Sequence, residues 1–473
     1  MEKMEESDGK QSTFFLPVDS NKKATKIRLF SFAAPHMRAF HLAWISLFSS
    51  FFSQFAIPSL IPIIRSDLKL TSTDIGHAGI ASFVGSILSR LAMGPVCDLL
   101  GPRRASATLS LLTAPFVFAM YLVSSANQFI LLRFLIGLSL ANFVANQFWM
   151  SSMFSSNVIG LANGYAAGWA TVGSGATQLL MPLIYSLITS FGVTSFRAWR
   201  LAFIVPGMFQ VITALLVLAY GDDTPDGGNY RKIQGSINKP KDNNLFSVLF
   251  HGLKNYRGWI LGLTYGYCFG VELTVDTIIA QYFYDRFNLS IQIAGAIATS
   301  FSLGNIVSRP FGGVISDTMA QKFGMRGRLW SLWIVQSVAG LLCSILGRVN
   351  SLYGSVAVMV CFSFFVQAAS GLTFGVVPFV SRRSLGVIAG MTASGGTVGA
   401  VVTQLLLFSG SRFSKEAGIS IMGLMMIACT LPVTMIYFPQ WGGMFCGPRI
   451  GPSTNGDQDL SNQQNVKREQ ESS

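Results

Sequence analysis

The chain has 473 residues, 51% of them hydrophobic and only 12% charged, with a formal net charge of +13. Soluble domains carry roughly a quarter charged residues, so composition argues against a soluble protein of this size. The basic residues sit in short loops and tails between long apolar blocks. The charge therefore reads as membrane orientation and not as a nucleic-acid surface.

Residues 1–38 form a polar tail containing Lys22, Lys23, Lys26 and Arg28, without the apolar core of a signal peptide. Ala39 to Ile64 carries no Asp, Glu, Lys or Arg, and at about 1.5 Å per residue it crosses a ~30 Å hydrocarbon core. Similar blocks follow at 75–97, 105–124, 128–152, 158–189 and 199–220. After a polar stretch, 221–256, six more occur at 257–283, 291–316, 329–347, 352–378, 384–409 and 417–438. Residues 439–473 are rich in Asn, Gln, Ser and Gly and read as a disordered tail. The predicted fold is an all-α polytopic membrane protein of twelve transmembrane helices, in two six-helix bundles over 39–220 and 257–438.

Basic residues set the orientation. Arg103 and Arg104, then Arg231, Lys232, Lys239, Lys241 and Lys254, then Lys322, Arg326 and Arg328, then Arg382 and Arg383 fall on one side with the N-terminal cluster. Opposite loops carry fewer, including Arg65, Lys69, Arg197, Arg348, Arg412 and Lys415. Both tails and the linker are expected in the cytosol. The sequon Asn288-Leu289-Ser290 then lies on the other side, where glycosylation of Asn288 is possible. Six cysteines without a CxxC pair indicate no disulfide framework, zinc site or redox site.

The two halves repeat one another. Arg90, Gly94 and Asp98 in the second block recur as Arg309, Gly313 and Asp317 in the eighth, each 219 residues later. Thr177-Gln178-Leu-Leu in the fifth recurs as Thr403-Gln404-Leu-Leu in the eleventh, 226 residues later, and Gly160 and Gly164 pair with Gly386 and Gly390 at that offset. Parallel bundles related by a pseudo-two-fold axis along the membrane normal follow, as in major facilitator transporters that work by alternating access.

The loop Gly94-Pro-Val-Cys-Asp98-Leu-Leu-Gly101-Pro-Arg103-Arg104 resembles the cytoplasmic gate-loop signature of the major facilitator superfamily. The run Gly168-Trp169-Ala-Thr171-Val-Gly173-Ser-Gly175 and its partner Gly390–Gly399, with Gly395 and Gly396, resemble the paired nitrate signatures of the nitrate–nitrite porter branch. Ser89–Arg103 and Asn142–Gly164 are similar to plant high-affinity nitrate transporters, and among these the short tail and the run Asn142–Met153 most resemble the vacuolar-membrane, seed-type branch. The resemblance implies nitrate transport by proton symport at the vacuolar or plasma membrane, with no cofactor, and a small single-span accessory subunit as a partner. It also implies that Phe143 and Tyr265 stack on the anion, and that Gly168, Thr171, Gly173 and Gly396 belong to its site. Family members usually carry Asn where this chain has Thr171, which keeps a hydroxyl and loses an amide.

Arg90 lies eight residues before Asp98, so its Cα is ~12 Å from the membrane face, near the middle of the core. Arg309 matches it by the repeat. A charge there costs at least ~2.5 kcal/mol, which marks both as functional. A guanidinium fork suits a planar oxyanion, and two forks from opposite bundles could clamp one. The structural alternative is that each Arg pairs with a buried carboxylate and only orients helices. Glu272 and Asp276, one turn apart in the seventh block, are candidates for proton coupling or for holding an Arg. For the glycines the alternative is small-residue helix packing. Arg133 resembles a structural Arg of the superfamily, while His41 and His77 read as interfacial. The chain holds no P-loop, HExxH or Rossmann fingerprint, so neither an enzyme nor an ATP-driven pump is expected. Transport or exchange of nitrite or another small anion is the nearest alternative. A nutrient sensor that does not transport is the other.

Overall fold

The computed structural model describes residues 14–226, 245–289, 291–381, 384–408 and 413–448. Arg231, Lys232, Lys239, Lys241, Arg382, Arg383, Arg412 and Ser290 of the sequon lie outside the described residues, as do 1–13 and 449–473.

Among the described residues, ten helices are long and apolar enough to cross a membrane. They are α1 (His36–Ser59), α2 (Thr73–Leu100), α3 (Pro102–Leu122), α4 (Ala126–Met153), α5 (Ile159–Ser190), α6 (Ser195–Tyr220), Ile293–Leu346, α10 (Leu352–Phe379), α11 (Leu385–Phe408) and α12 (Lys415–Met435). The 54 residues of Ile293–Leu346 would span ~80 Å if straight, far beyond one crossing. The chain turns at Gly324, with φ 62° and ψ −148°, a region only glycine enters readily. The arm before Gly324 is α8 and the arm after it is α9. The seventh crossing is in two pieces, α7a (Tyr256–Gly266) and α7b (Phe269–Phe287), broken at Tyr267 and Cys268. With these the fold has twelve crossings in two six-helix bundles.

The bundles meet along two pseudo-symmetric seams, α2 against α11 and α5 against α8. Glycine makes both possible. A Cβ on Gly164 would stand 2.8 Å from the Arg309 carbonyl oxygen, and one on Gly390 2.7 Å from that of Arg90. Each seam closes on a carboxylate from the other half. The Gly386 and Val387 amides donate to Asp98 at 3.2 and 3.3 Å, and the Gly160 and Leu161 amides donate to Asp317 at 3.0 and 2.8 Å. Each Asp thus satisfies orphan amides at a helix N-terminus, where negative charge is favoured. Arg328 ties this corner further, pairing with Asp317 at 2.9 Å and donating to the Ser156 carbonyl across the seam. Gly101, the C-cap of α2, has φ 83° and lets Pro102 start α3 at once. Arg103 donates from its amide to Asp223 at 3.0 Å and from its side chain to the Leu218 carbonyl. Burial pushes the Asp223 carboxyl above the usual carboxylate range, against the pull of Arg103 and Arg104.

Both described ends lie on this same face. Ala24 bridges Phe154 at the end of α4, Lys22 pairs with Asp226 at 2.7 Å, and Arg38 with Asp222 at 2.8 Å. Phe32 stacks on His41 at 4.2 Å, so His41 is buried beneath the N-terminal strap and is not at an open interface. At the other end, residues 439–448 are not a disordered extension. Tyr437–Phe438 pairs with Gly442–Gly443 in a short hairpin, Met444 is buried, and Trp441 packs edge-on to Phe379.

Candidate functional site

Arg90 on α2 and Arg309 on α8 are both fully buried at the centre of the molecule, and both face one ring. The guanidinium carbon of Arg90 is 5.7 Å from the Phe269 centroid, and that of Arg309 is 5.3 Å from it. Phe269 opens α7b, directly after the break. Tyr265, at the end of α7a, stacks on it at 5.1 Å with a 14° interplanar angle. Phe143 from α4 lies 6.0 Å from Phe269 at 22° and 6.1 Å from Tyr265 at 34°, and Arg90 also stands 5.5 Å over Phe143. Phe374 from α10 meets Phe143 and Tyr265 edge-on at 5.2 and 5.1 Å. The ring faces carry negative quadrupole and partly solvate the two cations.

The guanidiniums are held differently. Arg90 Nη1 donates to the Ala393 carbonyl at 2.7 Å and to Thr397 Oγ1 at 2.6 Å, both on α11 of the other half, and Nε donates to the Leu140 carbonyl at 3.3 Å. Arg309 stays within its own half, with Nη2 on Glu272 Oε2 at 2.8 Å. Glu272 also accepts from Asn305 at 2.6 Å and from Ser370 at 3.4 Å. For Arg309 the paired-carboxylate arrangement holds; for Arg90 a carbonyl and a hydroxyl take that place. Asp276 accepts from Ser302 at 2.7 Å. Four buried donors here have no hydrogen-bond partner among the described residues: Arg90 Nη2, Arg309 Nε, Arg309 Nη1 and Tyr265 Oη.

The remaining signature residues divide. Gly396 faces the rings, since a Cβ there would sit 2.7 Å from Tyr265 and 2.9 Å from Phe269. Gly168 backs Arg309, 3.3 Å from its Cβ by the same measure. Gly173 packs on α1 at Phe48 and Phe51 instead. The Thr171 hydroxyl donates to the Gly168 carbonyl of its own helix at 3.0 Å. Asp98, Gly101, Arg103, Arg104 and Asp317 lie at the tail-side face, away from the rings. Asn288, with φ 49°, ends α7b on the opposite side. Arg133 donates to the Gln54 carbonyl at 3.0 Å, joining α4 to α1. Phe269, Phe374, Asn305 and Thr397 are the residues that sequence reasoning missed. Thr397 had a signal, since it repeats Thr171 at the 226-residue offset.

The comparisons agree with this fold. The Major Facilitator Superfamily model matches residues 43–404. A solved transporter of that superfamily, FucP in the outward conformation, shares the fold with TM-score 0.61 at 16% identity, over 84% of this chain and 98% of its own. High affinity nitrate transporter 2.7 of Arabidopsis thaliana is 61% identical, covering 94% of this chain and 92% of that protein. High-affinity nitrate transporter 2.3 of Oryza sativa subsp. japonica is 59% identical over 94% and 86%. Two six-helix bundles in a chain that this model matches, with relatives named as transporters, make the protein a transporter and not an enzyme. Within the Major Facilitator Superfamily the chain belongs to the plant high-affinity nitrate transporter 2 family.

Proposed function

We propose that this protein transports nitrate by proton-coupled symport, and that Arg90 and Arg309 clamp the anion against the Phe143, Tyr265 and Phe269 rings. The observation that carries the reading is the set of four donors, three of them cationic, that lack a partner among the described residues and surround the Phe269 ring. A buried donor without a partner costs about 1–3 kcal/mol, more when charged, so such a set persists only where something else pays for it. Arg90, Arg309 and Glu272 together leave one net positive charge, which a monovalent anion neutralises. Flat delocalised oxyanions suit both guanidinium forks and parallel ring faces. The names of the relatives select nitrate among such ions.

Glu272 is the proton carrier of this scheme, with Asp276 secondary. Facing Glu272 are Arg309 and Asn305 on α8, Ser370 on α10, Tyr265 and Cys268 of the seventh crossing, and Asp276 one turn along. Protonating Glu272 frees Arg309 for the anion, which links the two loads. Closure of the seams at one face and its release at the other give alternating access. The concentration of Lys22, Lys23, Arg103, Arg104, Arg326 and Arg328 on the closed face supports cytosolic tails. The Asn142–Met153 wording supports the vacuolar membrane, and a fluorescent fusion seen only at the cell surface overturns that assignment.

The test is nitrate binding to the purified protein, read as the rise in unfolding temperature with ligand. Wild type shifts with nitrate and less with nitrite. Arg90→Ala and Arg309→Ala fold but lose the shift. A full shift in either variant removes the clamp.

A further inference from the structure

The repeat relates the two arginines, yet it does not relate their partners. Arg90 Nη1 bridges the Ala393 carbonyl and Thr397 Oγ1, two groups one turn apart on α11. At the 226-residue offset their counterparts are Ala167 and Thr171 on α5. The helices themselves obey the symmetry, because Gly164 meets the Arg309 carbonyl as Gly390 meets that of Arg90. An equivalent seat for Arg309 is therefore built into α5. Arg309 is not in it. Its Nη2 is on Glu272, and the Thr171 hydroxyl turns back to Gly168. The cause is local chemistry. The seventh crossing supplies a carboxylate, whereas its counterpart α1 has no Asp or Glu between His36 and Ser59. A carboxylate outcompetes a carbonyl and a hydroxyl for a guanidinium.

We propose that Thr171 and Thr397 are paired positioning residues for the two guanidiniums, and that Arg309 alternates between two seats. One seat is Glu272 in its own bundle; the other is the Ala167 carbonyl with Thr171 Oγ1 across the seam. Neutralising Glu272 sends Arg309 to the second seat. Both forks then cross the seam in the same way and present their free nitrogens symmetrically to the anion. Arg309 moves without leaving hydrogen-bond partners, and its crossing couples the protonation of one bundle to its contact with the other. The proposal rests on the anion reading above and names the residues that set its geometry. A hydroxyl bonded back to its own helix is also common in purely structural threonines, so the test must separate the two.

The test uses full-length protein in proteoliposomes and the KM for nitrate exchange at equal pH on both sides. Thr397→Val raises KM on the order of tenfold, as expected for loss of a hydrogen bond to a charged group, with the maximal rate much less affected. Thr397→Ser restores it. Thr171→Val raises KM by on the order of tenfold more in Glu272→Gln than beside the native Glu272, because only then is the second seat filled. Equal factors in both backgrounds overturn the second seat, and a Thr397→Ser variant as impaired as Thr397→Val overturns the first. If wild type exchanges no nitrate, the anion reading has failed, but the seats are still tested in anion-free detergent. There, Thr171→Val must lower the unfolding temperature further in Glu272→Gln than with Glu272, and equal lowering overturns the proposal. Should Glu272→Gln not fold, the cycle is run on Thr397→Val against Arg90→Lys, where additive effects count against the seats.

Discussion

At the scale of single residues, the site is an economy of donors around a few aromatic faces. Phe269 is central because, among the described residues, it is the one ring that both guanidiniums approach, at 5.7 and 5.3 Å. Each cation–π contact contributes about 0.5–2 kcal/mol, with the larger values where water is excluded. Phe269→Leu stays apolar and loses both contacts, so its KM for nitrate should rise on the order of tenfold while expression stays near wild type. An unchanged KM in a well-expressed Phe269→Leu would show that the ring is only packing. The arginines were legible in the sequence because charge inside a membrane is rare and theirs recurs at a fixed offset. Phe269 and Phe374 were not, since the chain has 38 phenylalanines and nothing in their spacing separates a site ring from a lipid-facing one. The Glu272–Arg309 pair was legible as one of two roles for Glu272, and side-chain geometry decides that it holds the Arg in this conformation.

At the scale of helices, close approach is what brings the arginines to the centre. The glycines of α5 and α11 were readable both as signature and as packing, and the structure gives them packing roles that also build the site. On α11, Gly390 abuts the backbone of Arg90 itself. A methyl group there must displace a carbonyl and so shift the guanidinium, which in a tight seam costs about 1–3 kcal/mol. Gly390→Ala should therefore lower both the unfolding temperature and nitrate uptake. Gly79→Ala, where a Cβ meets nothing within 4 Å, serves as the control and should change neither. Normal uptake by Gly390→Ala would remove the link between seam and site. The break in the seventh crossing had no sequence signal, because 257–283 contains no proline. It sits where Gly266 and Gly270 pack on Gly395, Gly396 and Gly399, so the cause is tertiary and invisible to local pattern. The turn at Gly324 fell in the polar gap between two apolar blocks and was legible as a loop. The N-terminal strap and the 437–443 hairpin were not, because polar composition alone does not reveal which segments find backbone partners.

At the scale of the whole molecule, two bundles are joined by mirrored seams and mirrored carboxylate caps, and the symmetry fails at Glu272. Among the described residues one bundle pairs its arginine with a carboxylate and the other does not, and the proposed coupling rests on that difference. A symmetric carrier would bind and release an anion, whereas an asymmetric one can make its release depend on a proton. Symport of one nitrate with two or more protons also carries positive charge inward. The most direct measurement is nitrate accumulation by proteoliposomes under an imposed inward proton gradient, comparing wild type with Glu272→Gln. Wild type should concentrate nitrate and stop when the gradient is collapsed, while Glu272→Gln should still exchange nitrate but not concentrate it. Concentrative uptake by Glu272→Gln with unaltered dependence on the proton gradient would contradict the account.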